Sequence, residues 1–390
     1  MPDRSQLRTA ATLARLAMRG LGRRLKPRAL GPASGPAFER AMTALLAEPA
    51  VAAHIGEARC LTLRPEDQWQ AAGFSVTPGD EVTIIAAGGF WASKLLDLGF
   101  GARIGLWLRT GAGTAICKTP GNHSTVTMVA GGLLEVVAKP PGEWADEQGH
   151  FDPAYPREGL SGEISVCVIR WKGAALAGLE ALALAGDYEG LVAAALEEAR
   201  HPVPPPEGWR YLWRLGEGRI FREHHAADTH SICCHTAGDV GILQFPADFP
   251  LTEETRLRWR WKVDRLPCDL PEDIQPTHDY LSIAVEYDNG QDLTYMWSSS
   301  LAEDTIFRCP LPYWDKVETH WVVRSNPTNL GKWLSEERSL RADYAKAIGA
   351  PPARITRIWL IAVSVFQRQE GICEYTGIEL ADGERVLKVL

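Results

Sequence analysis

Between Arg256 and Val263 the chain alternates without a break, Arg256-Leu257-Arg258-Trp259-Arg260-Trp261-Lys262-Val263, and no other segment narrows the available folds as much. A period of two is that of a β-strand, so Leu257, Trp259, Trp261 and Val263 fall on one face and four cations on the other. Such a strand needs an apolar layer opposite it and water behind it, as in an antiparallel sandwich. Tyr280 to Asp288 repeats the pattern, with Leu281, Ile283, Val285 and Tyr287 directed inward and Tyr280, Ser282, Ala284 and Glu286 outward. Further strands are expected at 229–237, 293–299, 318–325, 355–366 and 372–380, and one helix at 339–348, which Gly349 and Pro351-Pro352 stop.

Upstream, a basic stretch and a second helix at 36–53 give way at Cys60 to short apolar runs separated by turn residues. Phe74–Thr77 and Glu81–Ala87 flank Pro78-Gly79-Asp80, with Gly88-Gly89 following, and further strands fit 103–109, 124–130, 132–138 and 162–171. Residues 174–200 are rich in alanine, leucine and glutamate and break at Gly186-Asp187, which predicts two short helices; Pro202, Pro204, Pro205 and Pro206 cannot continue them. A chain of 390 residues exceeds one ordinary core. The expected fold is therefore mostly β: two β-sandwich, jelly-roll-like modules at 58–173 and 207–390, N-terminal helices within 1–57, and a helical connector with a Pro-rich linker at 174–206.

With 41 basic and 49 acidic residues the formal charge is −8, which argues against a nucleic-acid partner, since a phosphate backbone calls for a basic footprint. The eight cysteines make no C-x-x-C pair, and several, such as Cys167, lie in apolar runs where a thiol behaves as a small hydrophobe, so a reduced, cytoplasmic setting is expected. No stretch approaches the roughly 18 to 20 apolar residues that cross a bilayer. From Arg4 to Arg28 the chain is basic, with no acid until Glu39, and Arg15 and Arg19 interrupt any signal-peptide core. Leu13, Leu16, Leu21 and Leu25 recur at near-helical spacing, which fits either a helix lying on the inner membrane surface or one docked on the protein's own body.

The C-terminal half resembles a bacterial family catalogued as domain of unknown function 3047, through Trp259-Arg260-Trp261-Lys262-Val263, His278-Asp279-Tyr280, Tyr295-Met296-Trp297, Val323-Arg324-Ser325 and Ala342-Asp343-Tyr344 over roughly 207–380. That resemblance implies a jelly-roll-like fold and supplies no established activity. The chain departs from it where members tend to carry paired acids, here His278-Asp279, and an acidic stretch, here Val363-Ser364-Val365-Phe366. The first module is similar to the galactose-binding jelly rolls of bacterial galactophilic lectins through Gly88-Gly89-Phe90-Trp91, Gly101-Ala102-Arg103-Ile104-Gly105 and Gly162-Glu163-Ile164-Ser165-Val166. Where such lectins bind calcium with Asn-Asp, this chain has Arg170-Trp171, which supplies no hard oxygen site.

There is no phosphate loop, nucleophile elbow or H-E-x-x-H helix, and no cofactor is expected. His224, His225, Asp228, His230, Cys233, Cys234 and His235 are close in sequence, but a strand would send His230 and Cys234 one way and Cys233 and His235 the other, so no metal site is assigned. Histidine titrates near neutrality, so an acid–base site is drawn from His230 and His278, with Asp279 and Asp228 orienting them and Tyr280 or Tyr295 donating a proton. Each has a structural alternative: a satisfied core histidine, a turn-capping aspartate, a packing tyrosine. Arg258, Arg260, His320 and Arg324, with Glu286, could line one concave sheet surface that binds a carboxylate or several hydroxyls, with Trp297, Trp314 or Trp333 as a stacking platform. The leading expectation is a cofactor-independent lyase, hydratase or isomerase acting on a small hydroxylated or partly apolar substrate. The alternatives are a non-catalytic glycan-binding protein and a peripheral membrane scaffold.

Overall fold

The computed structural model describes residues 4–25, 29–226, 229–383 and 385–390. Helix α1 (Arg4–Leu25) opens the chain, which divides into two compact units. One comprises Arg19–Val203 with Trp213–Gly218; the other comprises the residues up to Met18, Pro204–Leu212 and Arg219–Leu390.

The first of these contains α2 (Pro36–Ala47), α3 (Pro49–Ala52), β1 (Ile55–Leu63), β2 (Gln70–Val76), β3 (Glu81–Ser93), β4 (Leu98–Gly101), α4 (Ala102–Gly105), β5 (Leu106–Arg109), β6 (Cys117–Lys118), β7 (His123–Thr127), β8 (Gly132–Ala138), β9 (Ser161–Trp171), α5 (Ala175–Ala185) and α6 (Leu191–Arg200). One sheet runs β1-β9-β3-β4 with β7 also on β3; the other runs β2-β8-β5-β6. Helices α2, α5 and α6 cover β3 and β9, where Phe38, Leu179 and Leu182 meet Ile85, Cys167 and Ile169. Ile84, Ala86, Val166 and Val168 alternate with these and are buried too. Coverage on both faces is why β3 and β9 read as continuous apolar runs.

Three boundaries differ from expectation. The helix at 36–53 breaks into α2 and α3 because Pro49 cannot continue the first turn ladder and Glu48 is extended. Residues 102–105 form a helical turn instead of the start of a strand, and the Arg103 N–H and C=O are taken by the Asn122 and Lys118 side chains. Strand β3 runs through Gly88-Gly89: Gly88 has φ +87°, and a Cβ there would meet Glu163 O at 2.6 Å.

The other unit contains β10 (Arg210–Tyr211), β11 (Phe221–Ala226), β12 (Thr229–Ala237), β13 (Val240–Pro250), β14 (Arg256–Arg265), β15 (Tyr280–Tyr287), β16 (Asp292–Ser298), β17 (Ile306–Arg308), α7 (Trp314–Val317), β18 (Glu318–Ser325), β19 (Leu334–Ser339), α8 (Leu340–Ala347), β20 (Arg354–Val363), β21 (Glu370–Asp382) and β22 (Arg385–Lys388). A seven-stranded sheet, β10-β13-β20-β15-β16-β18-β17, faces a six-stranded one, β11-β12-β21-β14-β19 with β22 on β21. The alternation that begins at Arg256 does what it implies: Trp259 stacks on Tyr295 at 5.7 Å and Trp261 meets Trp297 at 5.5 Å, so aromatic rings from both sheets fill the interior. Tyr295 donates to Asp343 Oδ2 at 2.9 Å, which also accepts from Arg338 Nε at 2.7 Å.

In α1, Thr12 and Leu16 are buried, Leu16 against Cys268 and Leu270, and Arg8 pairs with Asp273. Leu13 and Leu21 are exposed. Among the described residues no helix is long and apolar enough to cross a membrane.

Three substitutions test the packing of the two units. Trp261→Ala should cost about 3–5 kcal/mol in chemical denaturation, the range for emptying a large aromatic site. Tyr295→Phe, which removes one hydrogen bond and keeps the ring, should cost only about 1 kcal/mol; a Tyr295→Phe loss as large as that of Trp261→Ala would contradict a packing role. Gly178 on α5 sits against Trp171, whose ring would lie 2.2 Å from an added Cβ. Helix propensity favours alanine by about 1 kcal/mol, yet Gly178→Ala should lower the unfolding midpoint, and a rise would mean that the indole moves aside freely.

Candidate functional site

On the outer face of the seven-stranded sheet, four chain segments bring ionisable groups together. Glu318 and His320 are two apart on β18 and so share a face. β17 runs antiparallel beside them, and the next residue, Cys309, donates its N–H to Glu318 O at 3.1 Å. The 3-10 turn Gln275–Thr277 delivers His278 just ahead of Tyr280, the first residue of β15. His278 Nε2 lies 3.4 Å from Cys309 Sγ, His320 Nε2 lies 3.5 Å from Glu318 Oε1, and the two imidazoles meet edge to face at 4.8 Å. Tyr280 and Thr294 hydroxyls both donate to Glu318 Oε1, each at 3.1 Å. Phe307 stacks on His320, and Trp314 at the start of α7 reaches Trp359 on β20. All of these polar side chains are withdrawn from water.

Burial sets the electrostatics. It pushes His278 down to about 3, with help from His320, so this imidazole is neutral. Burial alone would raise Glu318, but His320 beside it and a hydrogen bond from Cys309 hold its carboxyl below the usual range. Burial, then Glu318, pushes the Cys309 thiol up, and the same two causes raise Tyr280 and Asp292. Glu272, whose carbonyl accepts from His278 Nδ1 at 2.5 Å, is raised by burial to about 7.

Of the residues singled out by sequence, His278, Tyr280 and His320 converge here. Asp279 turns away: its carboxylate accepts from the backbone N–H of Phe366 at 3.0 Å and Gln367 at 2.6 Å, and burial raises it to about 7. Tyr295 and Trp297 lie in the sandwich interior, with Trp297 Nε1 donating to Asn326 O. His230 is on β12 of the six-stranded sheet, exposed, stacked on His225 and 2.8 Å from Glu223. Asp228 lies outside the described residues. The histidine-rich stretch separates into two groups, Glu223/His225/His230 with the acid just ahead of the stretch and His224/Cys233/Glu374 with one distant in sequence.

The single arginine-lined surface expected from sequence does not form. Arg258 and Arg260 stand on β14 of one sheet, whereas Glu286, His320 and Arg324 belong to the other. Within β18 an irregularity opposite Met296 and Trp297 breaks the alternation, and Arg324 pairs with Glu336 at 2.7 and 2.9 Å while His320 is enclosed. What does form around Arg258 and Arg260 is a groove of about 360 Å3, lined also by Ser335, Glu337, Gly377 and Glu379. Arg258 donates to Glu337 at 2.5 Å and Glu379 at 3.1 Å. The Arg260 guanidinium and the Lys262 ammonium each sit 5.5 Å from the Trp333 ring centre.

Sequence reasoning missed Cys309 and Glu318. Glu318 was within reach, two residues from His320 on an expected strand; Cys309 needed the β17–β18 pairing. A second buried group went unnoticed in the other unit, where Arg157 Nε lies 2.7 Å and Lys139 Nζ 3.7 Å from Glu143 Oε1. The positions compared with lectin calcium ligands are structural: Trp171 Nε1 donates to Thr83 at 2.7 Å and packs beneath Gly178.

Residues 215–379 match the family described as Protein of unknown function (DUF3047). No curated protein matches the chain. Among solved structures the chain is similar to the xyloglucanase domain of NopAA, a type three effector from Sinorhizobium fredii, at 9% identity and a TM-score of 0.27, over 46% of this chain and 91% of that one. It is similar to an exo-beta-agarase at 10% identity and a TM-score of 0.26, over 47% of this chain and 24% of that one. An ENZbleach xylanase variant matches at 11% identity and a TM-score of 0.26, over 48% of this chain and 86% of that one. Likenesses of this size assign neither a fold nor an activity.

Proposed function

We propose that the C-terminal β-sandwich is a binding module for hydroxyl-rich ligands, glycan segments among them, recognised on the outer face of its six-stranded sheet. The observation that carries this reading is the open groove in which Arg258 stands between Glu337 and Glu379. The arginine's charge is already answered by two carboxylates, so an anionic ligand would have to compete with them. A vicinal diol takes a guanidinium N–H and a carboxylate oxygen together without displacing either. Trp333, beside Arg260, adds a flat apolar surface for a sugar ring.

Acid–base chemistry of the lyase, hydratase or isomerase type is the second reading, favoured by the meeting of His278, Tyr280, Glu318 and His320. A general acid or base works within hydrogen-bond reach of its substrate. These four are buried under Phe307 and the loop after it, so catalysis there requires that cover to lift. The open groove needs no such motion, and it therefore carries the first reading.

Calorimetric titration of the full chain with a panel of neutral and acidic oligosaccharides tests the choice. Saturable binding of a neutral member is expected, weakened about ten-fold, roughly 1.4 kcal/mol, by Arg260→Ala and by Glu337→Ala, and unaffected by Tyr280→Phe. If nothing in the panel titrates, or if Arg260→Ala and Glu337→Ala bind like the parent, the groove is not a saccharide site.

A further inference from the structure

His278, Cys309, Glu318 and His320 each offer one ligand-type atom, and these four atoms all lie within 4.8 Å of one another. Four is the coordination number of a closed structural zinc site, and imidazole nitrogen, thiolate and carboxylate are the donors such sites use. Tetrahedral ligands about 2.0–2.3 Å from a shared ion stand roughly 3.3–3.8 Å apart. Two of the pairs here, His278 with Cys309 at 3.4 Å and His320 with Glu318 at 3.5 Å, already have that spacing.

We propose that these four side chains hold one divalent transition-metal ion of the zinc class. Formal charge closes: a thiolate and a carboxylate supply two negative charges and the neutral imidazoles none, so a buried dication is compensated. As the sulfur–metal bond forms, the Cys309 S–H proton leaves to solvent, and no other bond is broken. An independent observation points the same way. Neither ring nitrogen of His320 has a hydrogen-bond partner although the side chain is fully buried, a costly state that coordination through one of them halves. The surroundings act as an outer shell: His278 Nδ1–H donates to Glu272 O, which leaves Nε2 free for an ion, and Tyr280 and Thr294 steady the Glu318 carboxylate. Sulfur and nitrogen donors exclude a preference for calcium or magnesium. The site stands apart from the groove, and its test does not depend on saccharide binding.

The full chain, stripped with a chelator and dialysed, is titrated with Zn2+ or Co2+ alone. One tightly bound equivalent per chain is expected, and the cobalt form should show a thiolate-to-metal charge-transfer band with the intense visible bands of tetrahedral coordination. Cys309→Ser should abolish the charge-transfer band and weaken binding at least ten-fold. Cys233→Ser, in the partly exposed group with His224 and Glu374, should change neither. Should Cys309→Ser fail to fold, the parent's spectrum still decides: cobalt bound without a thiolate band overturns the proposal, as does a band that disappears with Cys233→Ser instead.

Discussion

Both faces of the seven-stranded sheet are withdrawn from water along β15, β16 and β18, and most of what distinguishes this unit follows from that burial. Toward the six-stranded sheet the covering layer is apolar and aromatic, and Leu281, Ile283, Leu293 and Trp321 need nothing more than close packing. On the opposite face the same strands carry Tyr280, Asp292, Thr294, Glu318 and His320, all buried. Polar groups taken out of water must satisfy one another or something they hold. Tyr280 and Thr294 do so through Glu318; His320 does not. The candidate site is thus where the cost of covering the second face is concentrated.

The same burial explains which parts of the fold could be read in advance. β14 was legible because one of its faces is solvated, so polarity and direction coincide: Arg258 and Arg260 outside, Trp259 and Trp261 inside. β15 has the same period, and Ser282 and Ala284 do point away from the interior, but that side is covered as well. Alternation reports which way a side chain faces and carries no information on whether another layer lies beyond it. Residues 102–105 and the extension of β3 through Gly88-Gly89 depended on side-chain and backbone neighbours distant in sequence, which local period does not encode.

For the site, local spacing reached pairs and stopped there. Glu318 and His320 share a face by count, and His278-Asp279-Tyr280 is contiguous, yet Asp279 and its neighbours part company because a turn residue and the first residue of a strand need not obey the strand's period. Bringing Cys309 to His278 takes the hairpin of β17 with β18 and the parallel pairing of β16 with β18, both set by long-range order in the sheet. The arginine surface failed for the complementary reason. Its members were assigned to a common face strand by strand, and the strands belong to different sheets.

That division bears on how the two candidate sites relate. The groove at Arg258 and the cluster at His320 lie on the outer faces of opposite sheets, with the layer of Trp259, Trp261, Tyr295 and Trp297 between them. Neither shares a side chain or a hydrogen bond with the other, and sites separated in this way behave additively unless a packed element between them has two arrangements. The aromatic layer is fully buried and interlocked from both sheets, which disfavours a second arrangement. Ligand at the groove and metal at the cluster should therefore stabilise the unit independently, the first by occupying a preformed surface and the second by resolving a polar face that the fold itself has enclosed.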